Sequence, residues 1–242
     1  MTHNADTPMP HTIILAGGFG TRLRPRLSDK PKVLAPIAGV PFITYQLNWL
    51  KAQGVRKATI AVHYLANQIQ QFVDEWKDER FNLDCVYESE PLGTGGAVAN
   101  VIRQRNLKES VIVINGDTIF RFNLSLVVER MKAVNTSALL VAAPQDNVAR
   151  FGTISIKDSI VKSFHQASGI HKPGIVNGGV YILKTCLFGN LNVHKFSLEY
   201  DLFPKLASDG KLNAYLLNEK EGFFDIGTLE SFDQICQGNE VW

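Results

Sequence analysis

The chain has 242 residues, 45% of them hydrophobic and 20% charged, enough for one sizeable core or a core domain with a small lobe. With 25 basic against 23 acidic residues its net charge is +2, and no basic block marks a nucleic-acid surface. No run approaches the roughly 18 apolar residues of a membrane span, and the scattered Cys85, Cys186 and Cys236 suit neither a disulfide framework nor a zinc site.

Residues 1–11 are polar and contain proline. Without the apolar segment of a signal peptide they read as a flexible tail on a cytoplasmic protein, and His3 and His11 read as solvated. Ile13–Ala16 then reads as a short buried strand. It runs into Gly17-Gly18-Phe19-Gly20-Thr21-Arg22-Leu23 and, after a short loop, Lys30-Pro31-Lys32. A glycine turn after a strand lets the backbone approach a ligand closely. Arginine and lysine just beyond are phosphate-binding side chains, so the segment reads as a triphosphate cradle. It is not a P-loop, which ends Gly-Lys-Ser/Thr. Nor is it the dinucleotide fingerprint Gly-x-Gly-x-x-Gly, because the last position counted from Gly18 is Leu23.

Helices are predicted at Phe42–Gln53, Gln68–Trp76 and Gly96–Gln104, between strands at Lys57–Val62, Leu83–Tyr87 and Val111–Ile114. This alternation predicts right-handed crossovers and a mostly parallel sheet. Ligands bind such sheets at the carboxyl ends of the strands, where the glycine loop and Asn115-Gly116-Asp117 both fall. Farther on, Ser137–Ala143, Gly152–Ile156, Ile160–Phe164 and Gly179–Leu183 read as strands with few helices between, which predicts a mixed sheet and a smaller lobe. A helix near Leu198–Ala207 and a strand at Asn213–Leu217 follow. There is no sharp linker and no internal repeat, so residues 12–242 read as one domain.

Leu15-Ala16-Gly17-Gly18-x-Gly20-Thr21-Arg22-Leu23 followed by Pro31-Lys32 resembles the signature of the sugar-phosphate nucleotidyltransferase family. Later motifs extend the resemblance over almost the whole chain. It implies a Rossmann-like three-layer α/β/α fold, with residues 12–118 mainly nucleotide-binding and 119–242 mainly sugar-binding. Some relatives append a hexapeptide-repeat β-helix, and a chain ending at Trp242 reads as the catalytic domain alone. The implied partners are a nucleoside triphosphate and a sugar 1-phosphate, and a homodimer is compatible with the sequence.

The implied chemistry needs no general base, because the attacking sugar-phosphate oxygen is already anionic. It needs positioning and charge neutralisation around the triphosphate. The resemblance assigns the cradle to Gly17–Thr21 with Leu15, Ala16 and Gly116 beside it. Arg22 would take the β- and γ-phosphates and Lys32 the α-phosphate, with Lys30 left to solvent. Asn115-Gly116-Asp117 looks like the family's magnesium motif, and Asp225 is the expected second carboxylate. A buried charge needs a partner, and Mg²⁺ takes one or two carboxylates plus phosphate oxygens.

Glu88-Ser89-Glu90-Pro91-Leu92-Gly93-Thr94-Gly95-Gly96 resembles the family's base- and ribose-reading loop, with Pro91, Gly93 and Thr94 in it. An ionised carboxylate only accepts hydrogen bonds. Guanine offers N1–H and N2–H₂ donors on one edge, so Glu88 suits guanine and GTP, with Glu90 an alternative reader. Asn177 and Gly178 look like the sugar-binding segment, Gly152 joins them, and Glu199 would bind a hydroxyl pair. The family's sugar-phosphate clamp lysine is missing from Ser163-Phe164-His165-Gln166-Ala167, which leaves Lys172 or Arg150 as substitutes.

The loop Arg24–Lys32 and the segments Asn177–Tyr181 and Lys195–Ser197 look most like D-glycero-D-manno-heptose 1-phosphate guanylyltransferases of bacterial surface-polysaccharide synthesis. Mannose 1-phosphate guanylyl transfer and hexose or amino-sugar 1-phosphate uridylyl transfer stay open. So does a catalytically inactive nucleotide-sugar-binding regulatory module.

Overall fold

The computed structural model describes residues 8–20, 23, 26–27, 29–189 and 193–237. In chain order, β1 (His11–Leu15), β2 (Pro36–Ile37) and β3 (Val40–Pro41) precede α1 (Phe42–Ala52). Then come β4 (Lys57–Val62), α2 (Ala66–Glu75), β5 (Asn82–Tyr87), α3 (Gly93–Gln104), β6 (Ser110–Asn115), β7 (Thr118–Arg121) and α4 (Leu124–Ala133). The strands β8 (Ala138–Gln145), β9 (Thr153–Lys157), β10 (Ile160–His165) and β11 (Gly174–Lys184) follow. A wide helical turn at Leu198–Leu202 leads into α5 (Phe203–Ser208), and β12 (Leu212–Leu216), β13 (Gly222–Asp225) and α6 (Leu229–Cys236) complete the elements among the described residues.

Nine strands form one sheet in the order β5-β4-β1-β6-β11-β8-β12-β10-β9. The four strands β5, β4, β1 and β6 are mutually parallel. β11 opposes both β6 and β8, and β10 opposes β12 and β9. The smaller lobe expected from the second half therefore takes the form of added strands on the same sheet. Side-chain alternation gives it two apolar faces. Ile14, Ile112, Ile114, Leu139 and Val141 join the apolar residues of α1, α2 and α4 in one cluster. Ile13, Val111, Val113, Leu140 and Ala142 join those of α3 and α5 in the other. These faces make the three-layer sandwich, because a strand's successive side chains point to opposite sides.

Several elements add to the sequence reading. The α4 helix is carried by Leu124, Val127, Val128 and Met131 at helical spacing, and the Asn123 side chain caps it by accepting from Ser125 N–H at 2.9 Å. The α6 helix packs Phe232 and Ile235 on Leu23, Leu27, Ile37, Phe42 and Ile226 in a third cluster. His11 is not tail: it opens β1, and its ring pairs with the Thr59 hydroxyl at 2.8 Å. Burial pushes its pKa down. His3 lies outside the described residues. None of the described helices is long and apolar enough to cross a membrane.

Candidate active site

The parallel strands end level with one another, and this builds the floor of a cavity of about 720 Å³. Leu15 at the end of β1 is in register with Asn115 at the end of β6. The two following loops then touch, with Gly116 N–H donating to the Leu15 carbonyl at 3.0 Å. A Cβ on Gly116 would fall 2.5 Å from that same oxygen, so only glycine permits the contact. Gln46, buried on α1, fixes the turn from below: its Nε2 donates to the Asn115 and Thr118 carbonyls at 2.8 and 2.6 Å.

Asp117 and Asp225 are 108 positions apart in sequence. The small antiparallel pair β7–β13 brings their strand ends together, with Asp225 opposite Thr118 and Ile226 N–H donating to the Asp117 carbonyl at 2.9 Å. Each carboxylate faces a cation. Lys32 Nζ lies 2.5 Å from Asp117 Oδ2, and the Arg150 guanidinium lies 2.9 Å from Asp225 Oδ2. Asp117 also accepts from the Thr118 hydroxyl at 3.2 Å, and Asp225 from Gly227 N–H at 2.8 Å. An ionised carboxylate has about four acceptor sites. Capacity therefore remains on both, and two hard oxygen donors in a cavity otherwise suited to phosphate match what Mg²⁺ takes.

Glu88 follows β5 and is held by its own turn. Its N–H donates to the Val62 carbonyl at 2.9 Å, and its Oε2 accepts from Leu92 N–H at 3.0 Å. Its Oε1 is buried with no hydrogen-bond partner, and it sits beneath Gly17, where an added Cβ would be 3.0 Å away. Burial pushes the Glu88 pKa up from its ordinary value, opposed by the Leu92 N–H and by His63. Glu88 lines the cavity, whereas Glu90 is exposed and does not. That separates two carboxylates the sequence could not rank.

Gly93 is a glycine for two reasons. Its φ is +71°, and a Cβ there would meet the Phe196 carbonyl oxygen at 2.6 Å. The α3 helix starts at this residue, three earlier than its sequence pattern predicts. The N–H groups of Gly95 and Gly96 donate to that Phe196 carbonyl at 3.0 and 3.2 Å, and Phe196 N–H returns a bond to Leu92. The start of α3 thus anchors the segment that carries Glu199.

Thr94 belongs to that anchor. Its hydroxyl donates to Glu199 Oε2 at 2.6 Å and accepts from Leu198 N–H at 2.9 Å. The Ser197 hydroxyl also donates to Glu199 Oε2 at 2.8 Å, and the Tyr181 hydroxyl to Oε1 at 3.2 Å. Asn177 sits at an irregularity in the β8–β11 pairing, where its Oδ1 accepts from Gly179 N–H at 2.9 Å.

Leu15, Ala16, Gly17, Gly18, Gly20, Lys32, Glu88, Pro91, Gly93, Thr94, Gly116, Asp117, Gly152, Asn177, Gly178, Glu199 and Asp225 all line this one cavity. Lys172 does not; its backbone carbonyl accepts from Val148 N–H, and Arg150 lines the cavity instead. His165 also lies off the cavity lining, paired with Ser163 at 2.9 Å, and Lys30 is exposed. Thr21 and Arg22 lie outside the described residues. Sequence reasoning missed Gln46, Tyr181, Phe151 and Thr228. Only Gln46 carried a signal, as an amide on the apolar face of α1 with Ile43, Leu47 and Leu50.

A profile of the nucleotidyl transferase family matches residues 11–240. The chain is 34% identical over 221 residues to the D-glycero-alpha-D-manno-heptose 1-phosphate guanylyltransferase of Aneurinibacillus thermoaerophilus, covering 91% of this chain and 94% of that protein. It is 33% identical to the Campylobacter jejuni protein of the same name, over 91% of this chain and 96% of that one. The crystal structure of HddC from Yersinia pseudotuberculosis complexed with GMP-PN matches it with a TM-score of 0.83 at 34% identity, over 95% of this chain and 99% of that chain. The glycine loop, the paired carboxylates and these likenesses, which span nearly the whole chain, have one common reading: the chain belongs to the nucleotidyl transferase family.

Proposed function

We propose that this chain transfers GMP from GTP to a sugar 1-phosphate, D-glycero-α-D-manno-heptose 1-phosphate, giving the GDP-sugar and pyrophosphate in the cytoplasm. The observation that carries the guanine choice is Glu88 in the cavity lining, with its Oε1 buried and unpartnered. A carboxylate oxygen with no donor is costly to bury, and guanine N1–H and N2–H₂ are the donors that would satisfy it. The heptose choice is supported by the names and near full-length coverage of the two bacterial relatives.

In the reaction, an oxygen of the sugar phosphate forms a bond to the α-phosphorus. The bond from that phosphorus to the oxygen bridging α and β breaks, and pyrophosphate leaves with the electron pair. The Gly17–Gly20 backbone approaches the triphosphate, and Lys32 neutralises charge at the α-phosphate. Arg150 takes the place of the missing clamp lysine on the sugar phosphate, since its guanidinium can grip two phosphate oxygens at once. Asp117 and Asp225 would hold Mg²⁺, which when bound neutralises phosphate charge and aligns the oxygens. Asn177, Gly152, Gly178 and Glu199 face the sugar.

The test is pyrophosphate release with GTP, ITP, UTP and dTTP set against heptose, mannose, glucose and glucosamine 1-phosphates. The expected result is highest kcat/KM for GTP with the heptose phosphate. Equal use of GTP, ITP and UTP would refute the guanine reading, and preference for mannose 1-phosphate would refute the heptose reading.

A further inference from the structure

Tyr181 lies in the middle of β11, wholly buried, with its ring 4.8 Å from that of Phe203. It is not among the residues that line the cavity. Its hydroxyl nevertheless stands between two that do. Asn177 Nδ2 donates to it at 2.9 Å, and it donates to Glu199 Oε1 at 3.2 Å. The direction of this chain is forced. Asn177 Oδ1 is engaged by Gly179 N–H, which leaves the amide NH₂ as donor toward the tyrosine. The phenol, having accepted, must donate its one proton to the carboxylate. Burial first, and then the charge of Glu199, hold the phenol pKa well above its ordinary value, so it remains a donor at every working pH.

The other oxygen of Glu199 is filled by the Thr94 and Ser197 hydroxyls, at 2.6 and 2.8 Å. All three partners donate to this carboxylate. What remains toward the cavity is acceptor capacity on Oε1 and a second amide hydrogen on Asn177. One acceptor and one donor, held at fixed spacing by a shared phenol, suit a pair of neighbouring hydroxyls on a sugar ring.

We infer that Tyr181 is a positioning residue for sugar selection, which acts through Glu199 and Asn177 without touching the substrate. The inference rests on reading the Glu199 end of the cavity as the sugar 1-phosphate subsite. The Tyr181→Phe variant keeps the ring packed on Phe203 and removes only the relay.

The test is steady-state kinetics of the full chain with GTP and the sugar 1-phosphate varied in turn. The enzymes compared are wild type, Tyr181→Phe, Glu199→Gln and the double variant. Tyr181→Phe should raise KM for the sugar 1-phosphate by about tenfold or more and leave KM for GTP within about twofold. The double variant should be no worse than Glu199→Gln alone, because residues that act through one another are not additive. Multiplicative effects in the double variant, an equal rise in both KM values, or unchanged kinetics would overturn the positioning role. If Tyr181→Phe does not fold, Asn177→Asp reverses the relay while keeping the Gly179 bond, and its cycle with Glu199→Gln should show the same non-additivity. Additivity there overturns the role as well. A wild type that turns over no sugar 1-phosphate would instead overturn the reading of function on which this rests.

Discussion

The ammonium of Lys32 lies 2.5 Å from Asp117 Oδ2, with the lysine side chain mostly buried and the carboxylate about one-third exposed at the cavity wall. Lys32 follows the glycine loop and Asp117 follows β6, so the pair ties the two strand-end loops together. The same arrangement recurs beside it with Arg150 and Asp225. Each carboxylate therefore meets a cation that can turn to a phosphate once substrate arrives.

Asp117→Asn and Asp225→Asn should each cut turnover by at least about a hundredfold, as loss of a charge stabilising the transition state does. The far-ultraviolet circular dichroism should stay that of the wild type, since the side-chain volume barely changes. Magnesium titration of activity is the accompanying measurement. Full activity in either variant with magnesium still required would remove that residue from the proposed metal site.

Glu88→Gln should lower kcat/KM for GTP by roughly ten- to a hundredfold, the loss expected for a charge-assisted bond. It should also narrow the gap to UTP. Protonation of Glu88 has the same consequence, so wild-type kcat/KM for GTP should fall as pH drops through the raised Glu88 pKa. That limb should be absent from the Glu88→Gln profile. Superimposable profiles would show that another group sets the acid limb.

Stability carries the same signature in the other direction. As pH rises, the unfolded chain loses the Glu88 proton first, near the ordinary glutamate value of about 4.3. Burial of this carboxyl thus destabilises the fold nothing below that pH, and to its full extent above the raised native pKa. Urea midpoints of Glu88→Gln and wild type should diverge in favour of the variant between pH 4 and pH 7. An offset equal at both pH values would mean that burial does not raise the Glu88 pKa in the native protein.

Gly93→Ala should destabilise by about 2–3 kcal/mol, from left-handed backbone strain plus a Cβ driven against the Phe196 carbonyl. Thermal unfolding would then fall by about 2–4 °C for each kcal/mol. Because the displaced segment runs on to Ser197 and Glu199, KM for the sugar 1-phosphate should rise more than KM for GTP. A melting temperature equal to wild type would contradict the contact.

Gln46→Leu retains volume on the apolar face of α1 but strands the Asn115 and Thr118 carbonyls. The turn bearing Asp117 should loosen, lowering kcat by about tenfold with a loss of about 1–3 kcal/mol in stability. Unchanged kcat alongside lowered stability would confine Gln46 to a packing role.

What the sequence determined by itself is local. A strand, a glycine turn and cations just beyond it are read within about twenty residues, because backbone freedom and side-chain charge need no distant partner. Asp117 is legible on the same terms, as a carboxylate directly after an apolar run, and alternating patterns reveal the parallel half of the sheet. Tertiary structure decided whatever depends on two distant segments meeting. Asp225 reaches Asp117 only because β13 pairs with β7. Glu88 is separated from Glu90 by burial beneath Gly17, and Arg150 from Lys172 by which of them lines the cavity. Tyr181 reads as one more apolar strand residue until its hydroxyl is seen between Asn177 and Glu199. Hydrogen bonds and ion pairs act over about 3 Å, and only the packed chain fixes which atoms come that close.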